Sequence, residues 1–400
     1  DYKEEELEEI KLELLSEMYE IDDKDNETDL IDIPDANLKV MLPYYNKIEL
    51  LAGKKIKNLF GGKTIFSAST KNQESFDVNI DGIKYLCYVD IYNEREDINI
   101  IEVKATTSKK YLNLESGFRS TGSKKYEKFS IFYKDDRGIY HLKEELNSYD
   151  ITKEMPEKNY INLRSKLLNK YDDCGKYVYD LAVQRMIIEG DLNSHKFTNK
   201  KINYYLAVLN SEYVFSGVYN GEEPNYTDDI ITLFDMNKIT EELQASVESD
   251  RIMINNYLSL MDTSPCKLGK FCEYKKPSKC KYCKICMSII PKENSSLNYM
   301  NNGFGFKDEL GNVIKGLDLI NEGYKNMLDV PLAWIKNDNH LIQRKALEED
   351  RQYINKQKIK DALKELKYPI YHLDFETFPC PLPRFKGEKC YTQSPFQFSL

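Results

Sequence analysis

The spacing of apolar residues near the amino terminus predicts two helices separated by an acidic connector. Residues 3–20 combine charged side chains with Leu and Ile at helical spacing, and this spacing is lost between 22 and 34. Apolar residues recur every three or four positions from 45 to 60, just before the Gly-Gly pair at 61–62. Because paired glycines favour the end of a helix, we predict that an amphipathic helix ends there.

Alternation of apolar and polar residues follows and predicts strands. Residues 76–80 and 83–89 each alternate, on either side of the pair Asp81-Gly82. An Asp-Gly pair between two alternating segments is typical of a tight β-hairpin. Residues 98–103 come next and are rich in β-branched side chains, so we predict a buried strand beside the second arm of the hairpin.

The remaining apolar patterns complete an α/β fold. Helical spacing returns from 177 to 189 and around 239–260, and strand-like segments cover 202–209 and 212–218. Residues 105–170 are polar and lysine-rich with broken spacing, and we predict an insertion outside the core. The order of helix, strands, helix and strands indicates an α/β core.

Charge is distributed unevenly along the chain. The formal net charge is −9, but residues 1–36 contain sixteen acidic and three basic side chains, so the remaining residues carry +4. Net charge therefore does not exclude a nucleic-acid partner. No apolar run approaches the roughly 20 residues of a membrane span, and the acidic opening is unlike a secretory signal. These features predict a cytoplasmic protein without a membrane partner.

Two acids and a lysine interrupt the predicted strands. Asp90 follows the second arm of the hairpin, and Glu102 and Lys104 lie two positions apart in an apolar run. Alternation puts Glu102 and Lys104 on one face of their strand, where charged residues usually have a paired or functional role. Carboxylates on adjacent strands can share Mg²⁺ or Mn²⁺, and a lysine can orient a water or meet charge on a phosphate. The pattern predicts a metal-dependent phosphodiesterase.

Three motifs resemble those of the RecB-like branch of PD-(D/E)XK nucleases. They are Tyr-Val-Asp-Ile at 88–91, Ile-Ile-Glu-Val-Lys-Ala-Thr-Thr-Ser at 100–108 and Asp-Leu-Ala-Val-Gln at 180–184. The resemblance implies a restriction-endonuclease-like mixed sheet flanked by helices and a DNA substrate. It also implies that Gln184 lines the site. The chain resembles more closely an uncharacterised bacterial family that tends to carry an acid before the hairpin, and this implies that Glu74 is an accessory metal ligand.

Departures from that branch leave a second function open. Ile188 stands where RecB-like enzymes often have a tyrosine one helical turn after the glutamine, and the first helix lacks the histidine that many relatives offer. The alternative is a non-catalytic nucleic-acid-binding or assembly protein that uses a degenerate nuclease fold and a structural metal site.

A cluster of cysteines follows the predicted core. Five of the nine cysteines fall within 21 residues of a chain without an export signal, which favours metal binding over disulfides. They are Cys266, Cys272, Cys280, Cys283 and Cys286. Their spacing suits both zinc and an iron–sulfur cluster.

The cysteine positions are similar to those of the iron–sulfur subgroup of RecB-like nucleases. That resemblance implies a 4Fe-4S cluster held by Cys272, Cys280 and Cys286, with a first ligand upstream of the sequence. Cys266 or Cys283 could substitute for that ligand, and Zn²⁺ is the alternative metal.

The cysteine segment is also basic. Between 266 and 286 seven lysines accompany one acid, which suits a surface that tracks a phosphate backbone. The lysines that we expect to bind nucleic acid are Lys275, Lys276, Lys279 and Lys281. The expected partner is DNA, as single strands or ends.

Residues 371–377 carry a second acidic motif. The sequence Tyr-His-Leu-Asp-Phe-Glu-Thr is strand-like, with Asp374 and Glu376 on one face. It resembles the first motif of DEDD exonucleases of the RNase H-like fold, in which such a pair binds two metals. The order of segments is similar to an uncharacterised bacterial family that joins a nuclease, a cysteine cluster and this motif, which implies a DNA exonuclease in processing or repair.

These segments predict five regions in what we expect to be a fragment, because the sequence begins at Asp1 without Met and ends inside a strand-like run. The regions are an acidic helix and connector (1–44), a nuclease core (45–260) with an insertion at about 105–170, a cysteine-rich metal segment (261–300), a helical linker (301–367) with a charged helix at 341–367, and the start of an RNase H-like domain (368–400).

Overall fold

The computed structural model describes residues 36–67, 72–119, 126–194, 198–259, 267–269, 272, 286–301 and 305–399. The chain divides into two compact units, of which the larger joins residues 33–259 to 372–400 and the smaller includes 260–371. The helix predicted for residues 3–20 lies outside the described residues.

The strands and α-helices are numbered in chain order. The strands are β1 (Lys63–Phe66), β2 (Glu74–Ile80), β3 (Ile83–Val89), β4 (Ile91–Glu94), β5 (Ile98–Thr107), β6 (Glu115–Ser116), β7 (Phe129–Ser130), β8 (Phe132–Lys134), β9 (Ile139–Leu142), β10 (Ile202–Leu209), β11 (Tyr219–Asn220), β12 (Glu223–Pro224), β13 (Ile231–Asp235), β14 (Phe306–Lys307), β15 (Val313–Ile314), β16 (Asp374–Pro379) and β17 (Gln393–Ser399). The helices are α1 (Ala36–Phe60), α2 (Lys109–Leu112), α3 (Glu157–Arg164), α4 (Gly175–Ser194), α5 (Asn237–Glu242), α6 (Gln244–Ser259), α7 (Leu317–Asn321), α8 (Asp338–Glu348) and α9 (Lys356–Glu365).

A seven-stranded mixed sheet forms the centre of the larger unit, in the order β1-β4-β5-β10-β13-β9-β8. β5 pairs in parallel with β10, and β9 with β13, whereas the other neighbouring strands are antiparallel. Helix α4 packs into the core on one face, and α1 into the core on the other. The predicted α/β class, a mixed sheet flanked by helices, is confirmed.

The central strands are apolar because both of their faces are covered. Residues Ile98–Val103 of β5 are all buried, as are Asn203–Leu209 of β10. Ile100 belongs to the core on the α4 face and Ile101 to the core on the α1 face. Each fully buried isoleucine contributes roughly 1.5–3 kcal/mol. By alternation, Glu102 interrupts the apolar run on the α4 face.

The predicted hairpin is confirmed, but it lies outside the central sheet. β2 and β3 form a separate two-stranded sheet around Asp81 and Gly82, whose φ angles of 53° and 81° suit a tight turn. The antiparallel neighbour of β5 on that side is β4, which starts directly after Asp90. The prediction that the second arm lies beside residues 98–103 was wrong, because the strand is broken at Asp90 and enters the sheet one residue later.

Residues 105–170 contribute to the core, contrary to the prediction that they lie outside it. β8 and β9 form one edge of the central sheet, and Tyr111, Ile131 and Tyr160 are buried in the core on the α4 face. Both strands are short and are separated by the polar turn at 135–138, which obscures their alternation in the sequence.

Other predicted boundaries also changed. Residues 212–218 form no strand, and β13 takes the place beside β10 instead. α1 begins nine residues before the predicted position 45. The helix predicted for 239–260 is divided into α5 and α6, and the one predicted for 341–367 into α8 and α9.

The smaller unit has an apolar core of its own. Its buried members include Tyr299, Phe306, Leu319 and Trp334. Among the described helices of both units, none combines the length and the apolar character that crossing a membrane requires.

Candidate active site

Glu102 is the centre of a polar cluster on the α4 face of the sheet. Its side chain is 7% exposed, and Oε1 lies 2.6 Å from Nζ of Lys104. The other oxygen, Oε2, accepts a 2.7 Å hydrogen bond from Nε2 of Gln184 on α4. The structure therefore brings together three residues that the sequence predicted for one site.

Asp90 reaches this group from the junction between β3 and β4. Its Oδ2 accepts a 2.7 Å hydrogen bond from the backbone N–H of Val103, the residue after Glu102. Burial raises the pKa of Asp90 well above its ordinary value, and the carboxylates of Glu102 and Glu49 raise it further. The Val103 N–H and the Lys104 ammonium oppose this shift without reversing it. Crowded carboxylates of this kind favour a bound cation.

Helix α4 supplies two polar side chains one turn apart, Asp180 and Gln184. Asp180 Oδ2 is 3.5 Å from Lys104 Nζ, so the lysine contacts two carboxylates. Burial opposes the charged form of Lys104, but Glu102 and Asp180 outweigh burial and raise the pKa of the lysine above its ordinary value. Lys104 is therefore held as a cation. We call Asp90, Glu102, Lys104, Asp180 and Gln184 the Glu102 cluster.

The amide oxygen of Gln184 is an unpaired acceptor. Its Oε1 is buried without a hydrogen-bond partner among the described residues, while Nε2 of the same amide is bonded to Glu102. Leaving a buried acceptor unpaired costs roughly 1–3 kcal/mol. The atom therefore marks a position at which a donor such as a water would be stabilised.

The residues present fit a divalent ion such as Mg²⁺ or Mn²⁺. Asp90 and Glu102 offer carboxylate oxygens, which these ions prefer. A cation would also relieve the repulsion that raises the pKa of Asp90. Asp90 and Glu102 are therefore the residues that would hold the ion.

Two members of the site were missed in the sequence. Glu49 follows the buried Ile48 on α1 and acts on Asp90, but the family resemblance predicts only a histidine on that helix. Asp180 stands four residues before Gln184 in a motif that was recognised. The spacing of one helical turn was the signal that could have identified it.

A tyrosine surrounded by three lysines adjoins the cluster. The centroid of the Tyr177 ring lies 5.4 Å from Nζ of Lys104, 4.9 Å from that of Lys110 and 5.0 Å from that of Lys176. Burial, together with the charge of Lys176, lowers the pKa of Lys110. Lys176 also pairs with Asp173 at 3.0 Å in an exposed position, where an anionic ligand can compete for the lysine. We call Tyr177, Lys110 and Lys176 the Tyr177 rim.

The other predicted acidic ligands lie at the start of two strands. Glu74 begins β2 opposite Val89, and its charge acts on the hydroxyl of Tyr92. Asp374 and Glu376 lie on β16, paired with β17, and both are exposed. The roles of these three residues as metal ligands stay predictions.

Two predicted cysteine ligands lie in one apolar cluster of the smaller unit. Cys272 is buried there and Cys286 packs against it, together with Leu268, Leu317 and Ile320. Outside the described residues lie Cys266, Cys280, Cys283, Lys275, Lys276, Lys279 and Lys281. The predicted iron–sulfur or zinc site and its basic surface therefore stay predictions.

Comparison with known proteins gives information on the carboxyl-terminal segment. Residues 371–400 match a family described as Domain of unknown function (DUF2779). No curated protein and no solved structure matches the chain. The matched segment contains Asp374 and Glu376 but carries no assigned activity, so the nuclease resemblance stays a prediction.

Proposed function

We propose that this protein is a metal-dependent DNA nuclease with the Glu102 cluster as its active site. The observation that carries the proposal is the Gln184 amide, which donates to Glu102 and leaves Oε1 buried without a partner among the described residues. An ion pair between Glu102 and Lys104 does not require that acceptor, whereas hydrolysis requires a group that orients water.

Each residue has a distinct role in this proposal. A Mg²⁺ or Mn²⁺ ion held by Asp90 and Glu102 would lower the pKa of a water and polarise a phosphoryl oxygen. Gln184 fixes Glu102 through Nε2 and would accept a hydrogen bond from water at Oε1. Lys104 would stabilise the negative charge that develops on the phosphate.

The proposed substrate is single-stranded DNA or a DNA end, cut by an exonuclease. Lys110 and Lys176 provide positive charge beside the cluster for a flanking phosphate. The ring of Tyr177 offers a face on which a base can stack without sequence preference. The exonuclease assignment, with a role in DNA processing or repair, rests on the resemblance of residues 371–377 to a DEDD motif.

The test is cleavage of end-labelled single-stranded DNA by the full chain with Mg²⁺ or Mn²⁺. We expect metal-dependent products from the native protein and from Lys109→Ala, a control at an exposed lysine beside Lys110. Asp90→Asn keeps a carbonyl oxygen for the Val103 N–H and should abolish cleavage. Ladder or mononucleotide products would identify an exonuclease.

Equal background cleavage by the native protein and Asp90→Asn would overturn the enzyme assignment. If the DNA were still bound in a gel-shift assay, the non-catalytic nucleic-acid-binding function would replace it. Circular dichroism of both proteins separates loss of chemistry from loss of the fold.

We propose in addition that the cysteine segment holds a 4Fe-4S cluster. The proposal is supported by the cysteine thiolates of this segment, which are the ligands of such clusters. It is also supported by Cys272 and Cys286, which pack in the same apolar cluster although thirteen residues separate them. A brown protein with visible thiolate-to-iron absorbance after anaerobic purification is expected. A colourless protein that releases Zn²⁺ would show that the segment holds zinc and not an iron–sulfur cluster.

A further inference from the structure

A second polar group lies on the α1 face of the same sheet, at the edge formed by β9 and β8. His141 belongs to β9, Asp235 ends β13, and Glu145 ends the 3-10 turn Lys143–Glu145 that follows β9. One donor atom from each of the three lies within 4.8 Å of the others. With Asp135 of the β8–β9 turn, we call these four residues the His141 cluster.

Both ring nitrogens of His141 face carboxylates. Nδ1 is 3.3 Å from Asp235 Oδ2, and Nε2 is 3.2 Å from Asp135 Oδ2. The ring of Tyr133 stacks on the imidazole with centroids 5.5 Å apart. The His141 side chain is only 12% exposed, so its orientation is fixed from several sides.

The two aspartates are oriented by bonds to their other oxygens. Oδ1 of Asp235 accepts hydrogen bonds of 2.9 Å from the backbone N–H and the side-chain amide of Asn237. Oδ1 of Asp135 accepts from the backbone N–H groups of Arg137 and Ile139, at 3.0 and 2.8 Å. These bonds leave each Oδ2 directed at the histidine.

The charges around the cluster are not balanced by a neutral imidazole. Asp135, Asp235 and Glu145 are three carboxylates. Arg137 Nε contacts Asp135 at 3.3 Å, and Lys238 pairs with the neighbouring Glu144 at 2.8 Å. The surplus negative charge can be neutralised by a proton on His141 or by a metal ion.

We propose that the His141 cluster binds a divalent first-row transition metal ion through His141 Nδ1, Asp235 and Glu145. Asp135 then accepts the Nε2–H of the same ring. Metal-binding histidines almost always donate their second ring N–H to such a partner, which fixes the tautomer.

The observed spacing suits this coordination. Ligand atoms about 2.0–2.2 Å from one metal ion lie roughly 3–3.5 Å apart in tetrahedral geometry, close to the 3.3 Å between Nδ1 and Asp235 Oδ2. Glu145 is exposed, so it can approach an ion without rearrangement of the core. An imidazole nitrogen with two carboxylates favours Mn²⁺ or Zn²⁺ over Mg²⁺.

Mn²⁺ is the probe for the test, because thiolates of the cysteine segment compete for Zn²⁺. The full chain, stripped with EDTA, is titrated with Mn²⁺ and examined by pulsed EPR. We expect nitrogen modulation from a directly bound imidazole. His141→Ala should remove that modulation, whereas Asp90→Asn should retain it, because the Glu102 cluster contains no histidine.

Two carboxylate variants keep the test independent of folding. Glu145→Gln alters an exposed side chain and should weaken Mn²⁺ binding at this site at least about tenfold. Asp136→Asn removes an exposed carboxylate from the same turn as Asp135 and should leave binding unchanged. Native protein without nitrogen modulation, or modulation that survives in His141→Ala, would overturn the proposal and leave His141 as a protonated ion-pair partner.

This inference does not depend on the proposed nuclease. DNA cleavage could fail while Mn²⁺ retains its nitrogen signature, and the signature could be absent from an active nuclease. The two results therefore separate the two sites.

Discussion

The Glu102 cluster and the His141 cluster lie on opposite faces of one sheet and shift the pKa of a carboxylate in opposite directions. Asp90 lies near two other carboxylates, and burial together with those charges raises its pKa. Partial burial also opposes the charged form of Asp135, but the Ile139 N–H, His141 and Arg137 outweigh it and lower the pKa. One carboxylate therefore opposes folding when it is ionised, and the other supports it.

The two clusters also differ in whether a buried acceptor is left unpaired. In the His141 cluster the oxygens of Asp135 and Asp235 have protein partners even without a metal. In the Glu102 cluster the Gln184 Oε1 lacks a partner among the described residues, and burial and nearby carboxylates disfavour the ionised form of Asp90. A strongly perturbed carboxylate pKa of this kind is typical of sites that bind and transform a ligand.

After Asp90→Asn, which should abolish cleavage, the largest expected effect is that of Lys104→Ala on the cleavage rate. In the proposed function Lys104 stabilises negative charge on the phosphate, so its loss should reduce the rate about 10²–10³-fold. Single-turnover cleavage of labelled DNA measures the rate, with Lys109→Ala as control. The nitrogen modulation of Mn²⁺ at His141 should not change. If both readouts fell together, the two clusters would not be independent.

A smaller effect is expected from the groups that orient the ligands, Gln184 and Asp135. Gln184→Ala should lower cleavage roughly 10–100-fold, because Glu102 loses its 2.7 Å partner. Asp135→Asn should weaken Mn²⁺ binding at His141 by a similar factor. Rates and Mn²⁺ titrations of both variants measure this, and normal cleavage in Gln184→Ala would contradict an orienting role.

The lysines of the Tyr177 rim lie beside the Glu102 cluster and are expected to bind DNA on that face of the sheet. Lys110→Ala with Lys176→Ala should raise the KM for single-stranded DNA about tenfold and leave kcat nearly unchanged, because a flanking phosphate is then bound less tightly. The slope of log affinity against log salt should decrease by about 0.7 for each phosphate that the protein no longer neutralises. His141→Ala should leave that slope unaltered. An unchanged slope in the double variant would place the DNA elsewhere.

The smallest effects are on stability and have opposite signs. Since the folded pKa of Asp90 is raised above its ordinary value of 3.8, the metal-free protein loses stability as pH rises from about 3.8 through the folded pKa. Asp90→Asn removes this loss and should raise the Tm at pH 7.

Asp135 has a lowered pKa, so its contribution is present at pH 7 and is lost as pH falls below 3.8 through the folded pKa. Asp135→Asn should therefore lower the Tm at pH 7, by roughly 2–4 °C for each kcal/mol of stability removed. Thermal melts in EDTA at several pH values measure both variants. A lower Tm for Asp90→Asn would contradict the inference that the ionised Asp90 carboxylate opposes folding.

Parts of the fold and site that depend on neighbouring residues in sequence were predictable. Alternation around Asp81-Gly82 identified the hairpin, and the β-branched apolar residues of β5 identified a central strand. Glu102 and Lys104 were predicted together because a two-residue spacing puts them on one face whatever the rest of the sheet does. Gln184 was predicted from a resemblance; the structure shows its hydrogen bond to Glu102, and its role in a nuclease site stays a prediction.

Tertiary structure alone decided what comes from distant segments. Glu49 on α1 acts on Asp90, and His141 meets Asp235 across 93 intervening residues. The order of the strands also places β13 and β9 beside each other, although no local pattern required it. Local spacing fixes the face on which a side chain lies, because strand geometry repeats every two residues. Which faces meet depends on strand pairing and burial across the whole chain. The His141 cluster therefore could not be predicted from local spacing.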